Sequence, residues 1–278
     1  MEDIEEILRW YLLSGVNEFC DEKPLNALVQ AKAKADVLDN VSNASKNTVT
    51  SKPIIATYYQ LSDKPQRPAT TLLAQNNSGA CNNAREVCAA AKTLTELKAV
   101  MEKFEGCSLK FSANSTVFGH GSPQAKLMLI GEAPGADEDM EGVPFVGRSG
   151  QLLTKMLAAI GIDREECYIT NVLPWRPPGN RTPTDGEIAV CLPFLQRQIE
   201  LIKPKCIFLL GGSAANAVLN NAESISHLRG HIIDYITSDG TAIPTLSSFH
   251  PAYLLRTPQQ KAKAWSDLLR LQRNLSEG

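Results

Sequence analysis

The chain has 278 residues, a little under two average domains, and its 43% hydrophobic and 21% charged residues exclude collagen-like repeats and wholesale disorder. Twenty-eight Lys and Arg against thirty Asp and Glu leave a net charge of -2, so a partner drawn by positive charge must meet a local patch rather than the bulk field. Seven scattered cysteines, an odd number, do not make a secreted disulfide framework and point to a reducing cytoplasm.

In chain order, Ile4, Ile7, Leu8, Tyr11 and Leu12 recur at helical spacing and predict an amphipathic helix over the first 16 or so residues. Acidic residues stand where a signal peptide carries basic ones, and no apolar run reaches the roughly 18 residues that cross a bilayer, so a soluble cytoplasmic protein is expected. From about Ala31 to Asn83 the chain is rich in Ala, Ser, Thr, Asn, Gln and Lys and reads as a tether. Residues 1–92 are thus expected to be an N-terminal extension and 93–278 the compact domain.

The domain opens at Thr93, which stands three residues before Glu96 as in a capping box, with Leu94, Leu97, Met101 and Phe104 on one helical face. KLMLIGEAPG then reads as a buried strand ending in a Gly-rich turn, SGQLLTKMLAAIG as a helix closed by Gly161, and CYITNVLP as a second strand. DGEIAVCLPFLQRQIELI predicts a helix interrupted at Pro193. KCIFLLGGS predicts a strand entering the short helix SAANAVLN, and TAIPTLSSFHP a fourth strand before a helix around Pro258–Leu271. Strands alternating with helices argue for an α/β domain with a parallel sheet covered on both faces. Unusual residues gather just after the strands, where such a sheet opens its ligand crevice.

Three clusters occupy those positions. In Gly131-Glu132-Ala133-Pro134-Gly135, followed by Asp137, Glu138, Asp139 and the loop carrying Phe145, backbone amides can hold a carbonyl and a flat ring can stack on a base. A solvent-facing acidic turn accounts for the carboxylates equally, but not for Phe145. In the second, Asn171 ends a strand and precedes Trp175-Arg176-Pro177-Pro178-Gly179-Asn180-Arg181. Asn171 offers donor and acceptor together, and Arg176 and Arg181 can meet phosphates; a rigid Pro-rich loop with a structural Asn is the plain alternative. The third is Ser247-Ser248-Phe249-His250-Pro251, whose His250 suits charge stabilisation or proton chemistry, or is a satisfied structural histidine.

Taken together, GEAPGADEDMEGVPFVGRSGQLL, NVLPWRPPGNRTPTDGEIAVCLPFLQRQIELIKP and SSFHPAYLL resemble the uracil-DNA glycosylase superfamily, family 4 in particular, over about residues 94–271. The resemblance implies a three-layer α-β-α sandwich around a central four-stranded, mainly parallel sheet. It implies hydrolysis of the N-glycosidic bond of a uracil turned out of DNA, leaving an abasic site for base excision repair, with uracil-containing DNA as partner and a cytoplasmic, nucleoid-associated location. Phe145 would stack on uracil, Asn171 read its edge, Asn180 add a polar contact, and amides near Glu132 and Ala133 hold its carbonyls. Glu138, or next to it Glu132, would position water, and His250 would stabilise charge on the departing base. Arg176, Arg181 and Arg256 would approach the DNA. A same-fold glycosylase for hypoxanthine or xanthine and a DNA-binding homologue without turnover are the competing readings.

Members of this family usually carry a four-iron, four-sulfur cluster on four cysteines, and the matching positions here read Cys107, Lys110, Trp175 and Cys191. Lys and Trp are no thiolate substitutes, so no cluster and no other metal is expected. Trp175 is expected to fill the volume in its place, with the Lys110 stem across that surface. Cys167 and Cys206 are expected on or beside core strands as ordinary buried thiols.

Overall fold

The computed structural model describes residues 71–277. The helix expected over the first 16 residues and most of the Ala31–Asn83 tether lie outside the described residues. The strands β2 (Leu127–Gly131), β3 (Tyr168–Asn171) and β4 (Cys206–Leu210) are buried at every position, as their continuous apolar runs require. Together with β6 (Ala242–Ser248) they form the parallel order β3-β2-β4-β6. Alternate side chains enter opposite cores. Met128, Ile130, Ile207 and Leu209 join one with α1 (Thr71–Ala90), α2 (Leu94–Lys103), α5 (Asp185–Ile202) and α6 (Gly212–Leu219). Leu127, Leu129, Phe208 and Leu210 join the other with α4 (Arg148–Ala159), α8 (Pro251–Arg256) and α9 (Lys261–Glu277). The result is a three-layer α/β sandwich.

The expected four-stranded, mainly parallel sheet is incorrect. Among the described residues the sheet is mixed and six-stranded, in the order β1 (His120–Gly121), β3, β2, β4, β6, β5 (Ile232–Ile236). The antiparallel edges β1 and β5 extend the parallel centre. Two residues are too few to carry a pattern, and β5 sits at an edge with Ile232 and Ile236 exposed, so neither shows the continuous burial of a central strand.

Two helices also differ from expectation. α5 runs unbroken through Pro193, which omits only the hydrogen bond to the Ala189 carbonyl, while its start is fixed by a Thr184–Glu187 capping box. α1 precedes the expected boundary at Thr93 yet buries Ala84 and Cys88 in the core, and Arg197 of α5 donates twice to the Ala91 carbonyl just beyond it. α2 starts as expected, with Thr93 Oγ1 accepting from the Glu96 amide. No helix among the described residues is long and apolar enough to cross a membrane.

Candidate functional site

The chain leaves β2 for β3 on one side and returns past β2 to β4 on the other, opening a crevice at the C-terminal ends of the strands. A cavity of about 390 Å³ lies there, within the range of small-ligand sites. Glu132, Ala133, Glu138, Phe145, Asn171, Asn180, Arg181, His250 and Arg256 all line it, so all but one of the expected site residues converge. Arg176 is not in the wall; its Nε donates to Asn180 Oδ1 at 2.7 Å. Ser149, in the first turn of α4, also lines the cavity and was legible only from its place in the Phe145 loop.

Register places Asn171 beside Gly131, the last residue of β2. A Cβ on Gly131 would collide with Asn171 Oδ1 and the Phe145 ring, so only glycine admits both groups to the cavity floor. Beyond that pair, Val172 and Leu173 donate to the carbonyls of Gly131 and Glu132 and hold the two strand ends together. Asn171 is buried, and its Oδ1 has no hydrogen-bond partner among the described residues. An acceptor left so costs roughly 1–3 kcal/mol unless a ligand donates to it.

The Phe145 loop is held from several sides. Phe145 itself has φ of 55°, a left-handed conformation that a bulky residue adopts only under constraint. A Cβ on Gly150 would collide with the Phe145 carbonyl, so α4 can lie this close only with glycine there. Arg164 donates to the Pro144 carbonyl at 2.9 Å and to Thr154 Oγ1 at 3.2 Å, and burial lowers the pKa of its guanidinium.

The acidic run after Gly135 divides into distinct roles. Glu138 is buried, with Oε1 accepting from Val146 and Gly147 at 3.0 Å each and Oε2 from Gly135 at 3.1 Å. Its carboxylate ties the two loops of the cavity wall together. Asp139, also buried, accepts from the Asn114 and Ser115 amides and the Asn114 side chain. Among the described residues no side-chain hydrogen bond or ion pair engages the Glu132 carboxylate, which faces the cavity.

Opposite, His250 caps α8: its Nδ1 accepts from the Ala252 amide at 3.1 Å, which puts the ring proton on Nε2. Desolvation, with Arg256 adding repulsion, pushes its pKa down to about 4, so the imidazole is neutral at pH 7. Its ring lies 5.7 Å from that of Phe145, tilted by 31°. The preceding strand end is braced by Asp267, which accepts from Ser248 Oγ at 2.7 Å and from both Nε and Nη2 of Arg229. Arg229 also stands over the Phe249 ring. Arg181 is less free than its sequence position suggests, because Glu187 holds it bidentately at 2.9 and 2.6 Å. That pairing pulls the Glu187 carboxyl down to about 2. Arg256 makes no ion pair among the described residues.

At the positions matching the family's cluster ligands the donors do not fit a four-thiolate group. Trp175 is 1% exposed within the core, and its indole N–H donates to Thr116 Oγ1 at 3.0 Å. Lys110 Nζ donates to the Glu102 carbonyl at 2.7 Å. Only Cys107 and Cys191 offer sulfur, and among the described residues no group of three or more His, Cys, Asp or Glu is placed to hold a metal. The Cys191 thiol donates to Cys107, holding the Cys107 pKa below its usual value and raising that of Cys191.

Residues 118–269 match the family model of the Uracil DNA glycosylase superfamily. The type-4 uracil-DNA glycosylase of Archaeoglobus fulgidus is 41% identical over 169 residues, covering 59% of this chain and 84% of that protein. That of Thermotoga maritima is 44% identical over 157 residues, 56% of this chain and 80% of that protein. A type-5 enzyme of Pyrobaculum aerophilum is more distant, at 27% over 168 residues, 54% of this chain and 72% of its own. The matched span covers every strand of the sheet and every loop of the cavity wall, and the chain belongs to the uracil-DNA glycosylase superfamily.

Proposed function

We propose that this protein hydrolyses the N-glycosidic bond between uracil and deoxyribose in DNA, releasing the base and leaving an abasic site. The observation that carries the reading is the partnerless Asn171 Oδ1 on the floor of a cavity walled by Phe145 and a neutral His250. The family match and the type-4 relatives support the same chemistry.

Uracil presents an N3–H donor beside a carbonyl acceptor, the complement of the Asn171 oxygen and amide nitrogen. Cytosine presents an acceptor and an amine in those places, so it leaves Asn171 facing like groups. Phe145 supplies the ring on which the extruded base stacks. As the glycosidic bond breaks, negative charge gathers on the base; the Nε2–H of His250 donates to the uracil O2, and the amides near Glu132 and Ala133 share the load. A neutral imidazole suits this role, because it stabilises growing charge without first having to lose a proton. Glu132, rather than the tied Glu138, is the carboxylate free to orient water toward the sugar carbon. Arg256 on the rim gives the DNA backbone a cationic contact, and binding weakens as salt rises.

The test is incubation with oligonucleotides containing one uracil, hypoxanthine or xanthine, or only normal bases, followed by alkali. Strand scission at uracil alone is the expected result. Scission at the purine lesions alone, or tight binding without scission, overturns the reading.

A further inference from the structure

We propose that Cys107 and Cys191 are an oxidisable dithiol, a disulfide-forming site that takes hydrogen peroxide as its oxidant and staples the segment after α2 to α5. This site lies in the core under α5, away from the cavity, and does not depend on the glycosylase reading. Both thiols are free, and Cys191 Sγ lies 3.8 Å from Cys107 Sγ across 84 residues of sequence. A disulfide needs about 2.05 Å, so the sulfurs must close by roughly 1.8 Å. Cys107 is the less constrained of the two. It sits in extended conformation between α2 and the short turn Ser108–Phe111, with exposed Gly106 and Ser108 on either side, whereas Cys191 is fixed inside α5.

The other four described thiols are differently placed. Cys167 and Cys206 point at the carbonyls of Asp163 and Ile207, Cys88 is buried in α1, and half-buried Cys81 is near enough to Cys191 to act on its charge but does not hydrogen-bond to it; no second pair of thiols among the described residues hydrogen-bonds. Among the described residues no third donor is placed to make the pair a metal site. A pair of sulfurs in contact with nothing to bind has oxidation as its remaining chemistry.

Cys107, 3% exposed but flanked by exposed Gly106 and Ser108, is the attacking thiol, since Cys191 is wholly buried. Its thiolate bonds to one peroxide oxygen, the O–O bond breaks, and the departing hydroxide takes a proton to leave as water, giving the sulfenic acid. The Cys191 sulfur, losing its proton, then bonds to the Cys107 sulfur while the S–O bond breaks, and the second hydroxide leaves as water with that proton. Two thiols are oxidised by two electrons, and one peroxide is reduced to two waters.

The test uses the full chain, reduced, freed of reductant and treated with a small excess of peroxide. The expected result is a mass loss of about 2 Da, a Cys107–Cys191 linked peptide on mapping, and a melting temperature raised by roughly 10 °C and reversed by dithiothreitol. Cys107→Ser and Cys191→Ser each abolish the rise. Should either variant fold poorly, the linked peptide from the unmodified chain decides. Oxidation that leaves this pair unlinked, links either residue elsewhere or leaves the melting temperature unchanged overturns the proposal, as does stoichiometric iron in the purified protein.

Discussion

Asn171, the last residue of β3, and Trp175, four residues further on, are in opposite states. Asn171 is buried with an acceptor that no group among the described residues satisfies, in a cavity whose wall includes two non-glycine residues of positive φ, Phe145 and Asn180. Trp175 is as deeply buried, but its N–H is paired with Thr116 and its ring is part of the core. The first region leaves an acceptor open to the cavity; the second is closed, its one polar atom paired and its ring packed in the core. Tyr168, Gln198, Asn216 and Gln260 also bury a side-chain oxygen without a partner among the described residues, so what sets Asn171 apart is its place in the cavity wall.

Breaking the closed region should have the largest effect on stability. Trp175→Ala is expected to lower unfolding free energy by about 3–5 kcal/mol, measured by urea denaturation, because it empties core volume and strands Thr116 Oγ1. In the open region, His250→Asn retains a side chain able to cap α8 but removes the imidazole donor. Single-turnover cleavage of uracil DNA should slow by roughly 10²–10³-fold with DNA affinity little changed. A variant at either position that disturbed both properties equally would dissolve the contrast.

The same contrast governs what was legible in the sequence. The four parallel strands and the cavity loops could be read because LMLIG, YITN and CIFLL are buried without alternation and chemistry-bearing residues follow them. The edge strands could not: β1 is held by pairing with β3 and β5 by pairing with β6, partners that only the folded sheet supplies. α1 was hidden for a related reason, since among its described side chains the buried ones are the small Ala84 and Cys88. Trp175 could be placed only through the family resemblance, which sets it at a cluster-ligand position and so expects it to fill apolar volume there. The Glu138 arrangement could not, because two of its three amides lie eight and nine residues away, across a loop whose path depends on Gly150.

The two glutamates of the first motif offer the next sharpening. Glu138→Gln puts an amide group among three backbone donors that now share a charged acceptor, and should cost about 1–3 kcal/mol in thermal or urea unfolding. Glu132→Gln should leave the melting temperature nearly unchanged while slowing single-turnover cleavage by roughly 10²-fold. Equal loss of rate without loss of stability in Glu138→Gln would return the water to Glu138.

The smallest expected effect is the absence of one. A free imidazole titrates near 6.5, but His250 in the native protein does so at about 4, so the unfolded chain takes up this proton first. The contribution of a neutral His250 to stability is therefore complete above about pH 6.5, falls as pH drops toward 4, and is fully lost below that value. Protonation would also take the Nδ1 lone pair from the Ala252 amide and release the cap on α8. Through the ordinary histidine range the single-turnover rate should show no acid limb from His250, and an NMR titration should find its imidazole neutral at pH 6. Arg256→Gln removes one of the two causes of the depression and should move the His250 midpoint upward. A midpoint near 6.5 in the unaltered protein would mean that the cavity does not desolvate the ring, and the neutral donor assigned to the leaving base would have to be replaced by a charged one.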